Sequence, residues 1–447
     1  MEGDSHELPR PVPGLAARMA LLAGLLLLAC AGRRSAPSAE PLDPIATGYV
    51  KLVLAIGQHS PDYVDSFFGP PAWGEEARRA GRRPLSDLAG EAARLLGEAE
   101  RTSVEPGDGE RALRRAFLAG QLASARTHLA LLGGERLSFD EEARGLYGVV
   151  PPRRDLARFE DVHHEIERLL PGEGAVAPRL DAWKRRTSIP REKIAAVMRA
   201  AIDEARRRTL LHAALPAGES FTLSLVTDKP WRAYNWYEGG GRSRIEVNAD
   251  LPVDISVAIP YAAHEGYPGH HFFNAVLEQR LVRERGQVEH TVSPLFSPLS
   301  LVEEGSAEAG LEMAFPDAER LAFERDVLFP LAGLDPADAP RAARIRKLRK
   351  SLGPATVELA RRYVDGSMTG AEVEAWLVAF GLSTRDEASH ARRGFDVYRS
   401  YVVNYSFGEE LVKGWLDARA GGDAARRWAA FVDLVGSPRL PAALVER

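Results

Sequence analysis

Eight consecutive residues hold the densest chemistry in the chain: His264-Glu265-Gly266-Tyr267-Pro268-Gly269-His270-His271. Imidazole nitrogens bind divalent transition ions, and a carboxylate beside one of them can take a proton from a water at the ion. In the common arrangement, two histidines four residues apart share one face of a helix, with a glutamate directly after the first. Here His264-Glu265 opens in that way, but the fourth position on is Pro268, and the next histidines fall six and seven residues after His264. At about 100° per residue, a straight helix turns His270 to the wrong side. It brings His271 to the right side but roughly 10 Å along the axis. A regular helix therefore cannot form the site. Pro268 lacks an N–H and clashes with the carbonyl four residues back, while Gly266 and Gly269 tolerate unusual backbone angles. A two-residue bulge would return His270 to the angular place of an ordinary i+4 ligand. His270 is thus the expected second ligand and His271 the alternative. Whichever is not a ligand would bind substrate or support the site.

A third ligand should be a carboxylate from a later helix. The stretch Leu301 to Phe315 suits this, with Ser300 as N-cap and Glu303 at the third helical position completing a capping box. Glu304 is then free, and Glu308 follows it one turn later on the same face. Gly305, Ser306 and Ala307 between them are small, which favours close packing over a solvated acidic surface. The pattern resembles the gluzincin arrangement, in which one carboxylate binds zinc and another, a turn on, hydrogen-bonds a ligand histidine. The octapeptide, with Glu304-Gly305 some forty residues on and Tyr405-Ser406-Phe407-Gly408 near the C-terminus, resembles the bacterial family called domain of unknown function 885, relatives of gluzincin zinc metallopeptidases. Its frequent Glu-Gly-Trp is Glu304-Gly305-Ser306 here, so any role of that tryptophan is missing. The resemblance implies a mainly helical fold with a deep cleft, similar to angiotensin-converting enzyme and carboxypeptidase Taq. It also implies Tyr405 as a donor to the oxyanion formed when water attacks a peptide carbonyl.

The elements that must position these residues are mostly helices. From about 42 to 215 apolar residues recur at helical spacing, as in Leu118, Leu122, Ala125 and Leu129. Gly69-Pro70-Pro71, Pro106-Gly107, Pro151-Pro152 and Pro171-Gly172 punctuate the helices. Phe221–Val226 and Ser243–Val247 read as strands, and Gly239-Gly240-Gly241 as a tight hairpin turn rather than a phosphate-binding loop. The expected fold is mainly α: a large helical metallopeptidase-like fold with a central cleft and a small antiparallel sheet beside the zinc-binding helix. One domain is expected over 42–447, comprising a helical part (42–215), a metal-site part (216–320) and a second helical part (321–447). Trp231 to Tyr237 would line a cleft or form a packed aromatic corner. Tyr398, Tyr401 and Tyr405 form one helical stripe, and such stripes are more often core. Arg399 is a weak candidate for a substrate carboxylate, and His163-His164 reads as a polar helix face.

The N-terminus reads as a leader. Arg10 and Arg18 precede an apolar run, Met19 to Ala29, too short to span a bilayer. Leu27-Leu28-Ala29-Cys30 resembles a bacterial lipobox, and Cys30 is the only cysteine of the chain. Residues 1–29 are thus expected to be a lipoprotein signal and 30–41 a flexible tether after lipidated Cys30. The expected location is the cell envelope, facing the periplasm from the outer membrane. A net charge of −5 and the lack of a basic stripe argue against nucleic acid as a partner. The function expected is a zinc-dependent hydrolase of peptide bonds, Zn2+ held by His264, His270 or His271, and Glu304. Glu265 would assist attack of the zinc-bound water, Glu308 would orient a ligand, and short peptides would be the substrates. The rivals are a metal-dependent amidase of small amides and a non-catalytic helical binding lipoprotein.

Overall fold

The computed structural model describes residues 40–445 apart from Ala175, Pro230 and Leu251. The leader, Cys30 and the tether up to residue 39 lie outside the described residues. Helices dominate, as expected. The N-terminal layer consists of α1 (Asp43–Ile56), α2 (Leu85–Arg101) and α3 (Gly109–Leu132). On α2 the buried residues Leu88, Ala92, Leu95, Leu96 and Ala99 form one stripe with a period near 3.6, which faces α1 and α3. Leu118, Leu122, Ala125 and Leu129 are buried on α3, and Asp108 caps that helix by accepting from Arg111 N–H at 3.0 Å.

Two small sheets are set among the helices. β1 (Val64–Phe67) pairs with a later strand, Val292–Pro294. β2 (Ser220–Val226), β3 (Ala233–Gly239) and β4 (Arg242–Asn248) form the other, in the order β2-β4-β3. A small antiparallel pairing is present as expected, but it is made by other strands than the two read from the sequence. The antiparallel pair is the hairpin β3–β4, turned by Gly239, Gly240 and Gly241, all at positive φ. The two stretches read as strands, β2 and β4, run parallel to each other. The missing strand is the aromatic segment ending at Tyr237, which takes the hairpin place and pushes β2 to the far side of β4. Its run of Trp and Tyr obscured the period-2 alternation.

The centre of the molecule is α6 (Pro298–Ala314), reached after α4 (Ile194–Leu210) and α5 (His270–Leu277). This helix is buried on nearly all sides, the mark of a core helix rather than a surface one. It also begins three residues earlier than expected. Ser297 is the N-cap, its hydroxyl accepting from Ser300 N–H at 3.3 Å, and Pro298 occupies the first turn, where its missing N–H costs nothing. No capping box forms. Glu303 instead receives a hydrogen bond from Ser293, at 3.1 and 3.2 Å to its two oxygens. The partner of α6 is α7 (Val403–Ala420), and the two backbones meet at Gly305 and Gly408. A Cβ on Gly305 would lie 2.4 Å from the carbonyl oxygen of Gly408, so only glycine permits this approach.

That contact sets the spacing of the helix carrying Glu304 from the helix carrying Tyr405. Gly305→Ala should force the pair apart and lower the unfolding free energy by about 1–3 kcal/mol, the usual range for overpacking. Urea unfolding measures it; stability equal to wild type would mean that this contact does not govern the packing.

Candidate metal centre

The octapeptide solves its geometric problem through the backbone. One α-helical turn, Ala258–Tyr261, widens into a π-helical turn, Ala262–Gly266. The chain then extends at Tyr267 (φ −130°, ψ 123°) and re-enters a helix, α5, at His270. Gly269 N–H donates to the carbonyl of Ala263, six residues back, at 2.9 Å. A regular helix would link residues four apart, so two residues have been added between His264 and His270 without a new turn. A Cβ on Gly269 would stand 1.9 Å from the His264 carbonyl oxygen, so this closure requires glycine.

His264, His270 and Glu304 converge as a result. His264 Nε2 lies 3.1 Å from Glu304 Oε2 and 3.2 Å from His270 Nε2, and the third separation is 3.8 Å. Three ligands of a tetrahedral ion with bonds near 2.0–2.1 Å stand about 3.3 Å apart. The donor chemistry fits as well. His264 Nδ1 is 3.2 Å from Glu308 Oε1, and a carboxylate can only accept, so the proton sits on Nδ1 and a lone pair is left at Nε2. Tyr401 donates its hydroxyl to Glu304 Oε1 at 3.0 Å, while the buried Oε2 has no hydrogen-bond donor. Three electron pairs thus face one point, an arrangement that a divalent cation satisfies.

The remaining residues sort around this cluster. His271 does not join it. One residue further round α5, it points the opposite way, fully buried, donating Nε2–H to Glu219 at 2.9 Å and accepting at Nδ1 from the Ser243 hydroxyl at 2.8 Å. Glu265 lines a pocket of about 120 Å³ together with His264, His270, Glu304, Tyr401 and Tyr405. Burial, then the negative charges of Glu304, Asp65 and Glu308, push its pKa up to about 7 against the opposing pull of His264. Tyr405 is 43% exposed, at the pocket wall, with its ring edge-on to Tyr401. The tyrosine stripe is not one helix: Arg399 (φ 46°) breaks it, and its Nε donates to Glu142 at 2.6 Å rather than facing the pocket. His163 and His164 sit on a separate helix, Glu160–Leu169.

Titration at the cluster follows from burial and charge. Burial lowers His270 to about 4, which keeps it neutral and free to bind an ion at neutral pH. For His264 burial opposes the charge, but the carboxylates of Glu304 and Glu308, 3.1 and 3.2 Å from its two nitrogens, outweigh it and raise the pKa; an ion at Nε2 would take the place of a proton there. Glu308 is lowered to about 2 despite burial, through His264 and through Lys350, whose Nζ lies 3.3 Å away. Tyr234 belongs to the aromatic segment expected to line a cleft or form a packed corner, and it lines this pocket; sequence reasoning missed Lys350, Asp65 on β1 and Glu219. No local motif marks them. Each reaches the site from a distant segment, and Asp65 and Tyr234 are hydrogen-bonded to each other.

Glu219 also gives a stability prediction. Burial would raise its pKa, but bonds from His271, Tyr267 and Arg206 lower it to about 2. A depressed carboxylate stabilises the fold above its unfolded pKa of about 4.5, and that contribution is lost as pH falls toward 2. Glu219→Gln should therefore cost about 2–3 kcal/mol at pH 7, with the difference from wild type shrinking below pH 4.5. Denaturant unfolding across pH 3–7 checks this; a pH-independent difference would discard the charge argument.

No family model matches the chain, and no curated protein matches it. Among solved structures, it is similar to a candidate lipoprotein from Colwellia psychrerythraea (TM-score 0.51, 13% identity, covering 80% of this chain). The chain spans 65% of the length of that protein. It is also similar to a carboxypeptidase from Pyrococcus furiosus (TM-score 0.50, 12% identity), covering 92% of this chain and 95% of the other. At such identities the likeness is one of fold: the mainly helical architecture that surrounds the cluster is shared with a carboxypeptidase.

Proposed function

We propose that the protein is a zinc-dependent hydrolase of peptide bonds, acting on short peptides outside the cytoplasm. The observation that carries this reading is the convergence of His264, His270 and Glu304 beside Glu265, whose carboxylate meets no donor among the described residues. Zinc held by the three would supply Lewis acidity to a water and to a peptide carbonyl. The fold shared with a carboxypeptidase supports the same chemistry.

Each residue then has a separate task. Glu265 takes the proton of the attacking water and delivers it to the leaving amine nitrogen. Before an ion binds, burial and the neighbouring acids hold its pKa up at about 7, which makes it a stronger base than an exposed carboxylate. Tyr405 donates its hydroxyl to the developing oxyanion. Tyr401 fixes Glu304 through Oε1, and Glu308 fixes the ring of His264. Three variants separate binding from chemistry. Glu265→Gln should keep zinc while hydrolysis falls by about 10²–10⁴-fold or more. Glu304→Gln should lose zinc and activity together, and Glu308→Ala should lose about 10–100-fold. Zinc content and the rate on one peptide decide. Loss of metal from Glu265→Gln, with metal and activity retained in Glu304→Gln, would refute the assignment.

The same reading places the enzyme on a membrane through a lipid at Cys30, supported by Leu27-Leu28-Ala29-Cys30. No helix among the described residues is long and apolar enough to cross a membrane. Cys30→Ala should move the protein from the membrane fraction to the soluble one with its specific activity intact. A wild type already soluble and carrying no acyl group ends the lipoprotein reading.

A further inference from the structure

The pocket at the metal cluster is small and lined by acids. Asp65, Glu265, Glu303 and Glu304 all line it, and no Lys or Arg does. A second cavity, of about 650 Å³, has mixed charge: Asp181, Asp254, Asp386 and Glu387 line it together with Lys184, Arg185, Arg232 and Arg349. Two stretches of chain contribute to both. On one, Arg232 lines the large cavity and Ala233, Tyr234 and Asn235 of β3 line the metal pocket. On the other, Tyr261 lines the large cavity, one turn before His264 and Glu265.

The charges of the large cavity are unevenly satisfied. Its acids are partly occupied: Glu387 takes Lys184 at 3.1 Å and the Thr384 N–H at 2.9 Å. Asp254 caps Ser256 N–H at 2.8 Å and accepts from the Thr187 hydroxyl. Asp181 and Asp386 remain. Against them stand three guanidinium groups, Arg185, Arg232 and Arg349, none within 4 Å of a carboxylate among the described residues, although Arg349 helps hold down the pKa of Glu387. Arg232 and Arg349 both act on the Tyr261 hydroxyl, which Glu265 also reaches. Arg232 directly precedes the β3 residues that line the metal pocket, and Arg349 directly precedes Lys350, which pairs with Glu308. Val253, Val257 and the Tyr261 ring supply apolar walls beside these three exposed guanidinium groups.

We propose that this cavity binds a carboxylate of the substrate through Arg232 and Arg349. The proposal rests on the peptide-bond reading above and gives the substrate a direction: its anionic part is repelled by the acids at the metal and received by the arginines beyond Tyr261. A guanidinium fork matches a carboxylate in two parallel bonds, and a cavity of this size takes more than one residue. The carboxylate is either the C-terminus of a short peptide or an acidic side chain, and the two can be told apart.

Three probes are used with the zinc-loaded full chain: tetraalanine, its C-terminal amide, and an amidated tetrapeptide ending in Glu. Wild type should favour tetraalanine over its amide by a KM ratio of about ten or more, the discrimination expected of one charge-assisted contact. The ratio should collapse toward one in R232Q/R349Q, and less completely in either single variant. If the ratio that collapses is instead that of the Glu peptide to the plain amide, the site stands and its anion is a side chain. Equal KM values for all three probes in wild type, or ratios unmoved in the double variant, overturn the proposal. Failure of wild type to cleave any probe counts against the peptide-bond reading alone. Calorimetric titration of the same probes then decides the cavity: weaker tetraalanine binding by R232Q/R349Q supports it, and equal binding overturns it.

Discussion

Two histidines six residues apart can face one point only if the chain between them absorbs two residues without advancing a turn. The rest of the site depends on this constraint. The π-helical turn, the extended Tyr267 and the Gly269–Ala263 hydrogen bond together meet it. Once it is met, the direction of each side chain follows. His270 swings back to His264, and His271, about 100° further round α5, must look away. That outward histidine has its own use. Through Glu219 and Ser243 it ties the start of α5 to β4 and to the segment entering β2, and Glu219 also receives the Tyr267 hydroxyl at 2.5 Å. The unusual backbone is thus held from outside by buried, charge-assisted bonds, as such conformations require.

The opposing wall is held by shape rather than by charge. Gly305 and Gly408 let two helices touch at their backbones, and that contact places Glu304 and Tyr401 within hydrogen-bonding reach. Glu304 sits in the middle of a buried helix, where a carboxylate is costly unless compensated. Its compensation is divided: Tyr401 serves one oxygen and the histidine cluster faces the other.

Much of this was legible in the sequence, and the parts that were not share a cause. His264, Glu265, His270, Glu304 and Glu308 could be read because local spacing alone tests whether they can share a face. Pro268 announced the break, and Gly305-Ser306-Ala307 announced the close packing. The choice between His270 and His271 could not be made from spacing, because it turns on a hydrogen bond across six residues. Glu303 was misread for a related reason. A capping box explained it locally, but the true cap is Ser297, and Glu303 is buried against Ser293. The parallel pairing of β2 and β4 was hidden because the aromatic strand between them in sequence carries no alternation. Asp65, Glu219 and Lys350 act entirely through tertiary contacts, which leave no trace in a local pattern.

The charge layout connects these observations. Asp65, Glu265, Glu303, Glu304 and Glu308 lie in or beside one pocket, and Lys350 is the cation that meets this group directly, through Glu308. Lys350 is itself shared, bonding Glu409 at 2.9 Å and Glu312 at 3.3 Å, so it neutralises only the outermost acid. The inner carboxylates have hydroxyl donors, Tyr234 on Asp65, Ser293 on Glu303 and Tyr401 on Glu304, but no Lys or Arg pairs with them among the described residues. Burial and mutual repulsion raise Glu265 to about 7 and Asp65 to about 6, the response of acids denied a counter-charge. A divalent cation at the histidines would remove most of that repulsion and lower both values. Metal affinity and the basicity of Glu265 are therefore coupled through the same field. The acids that would draw an ion into the site are also those that raise the pKa of Glu265.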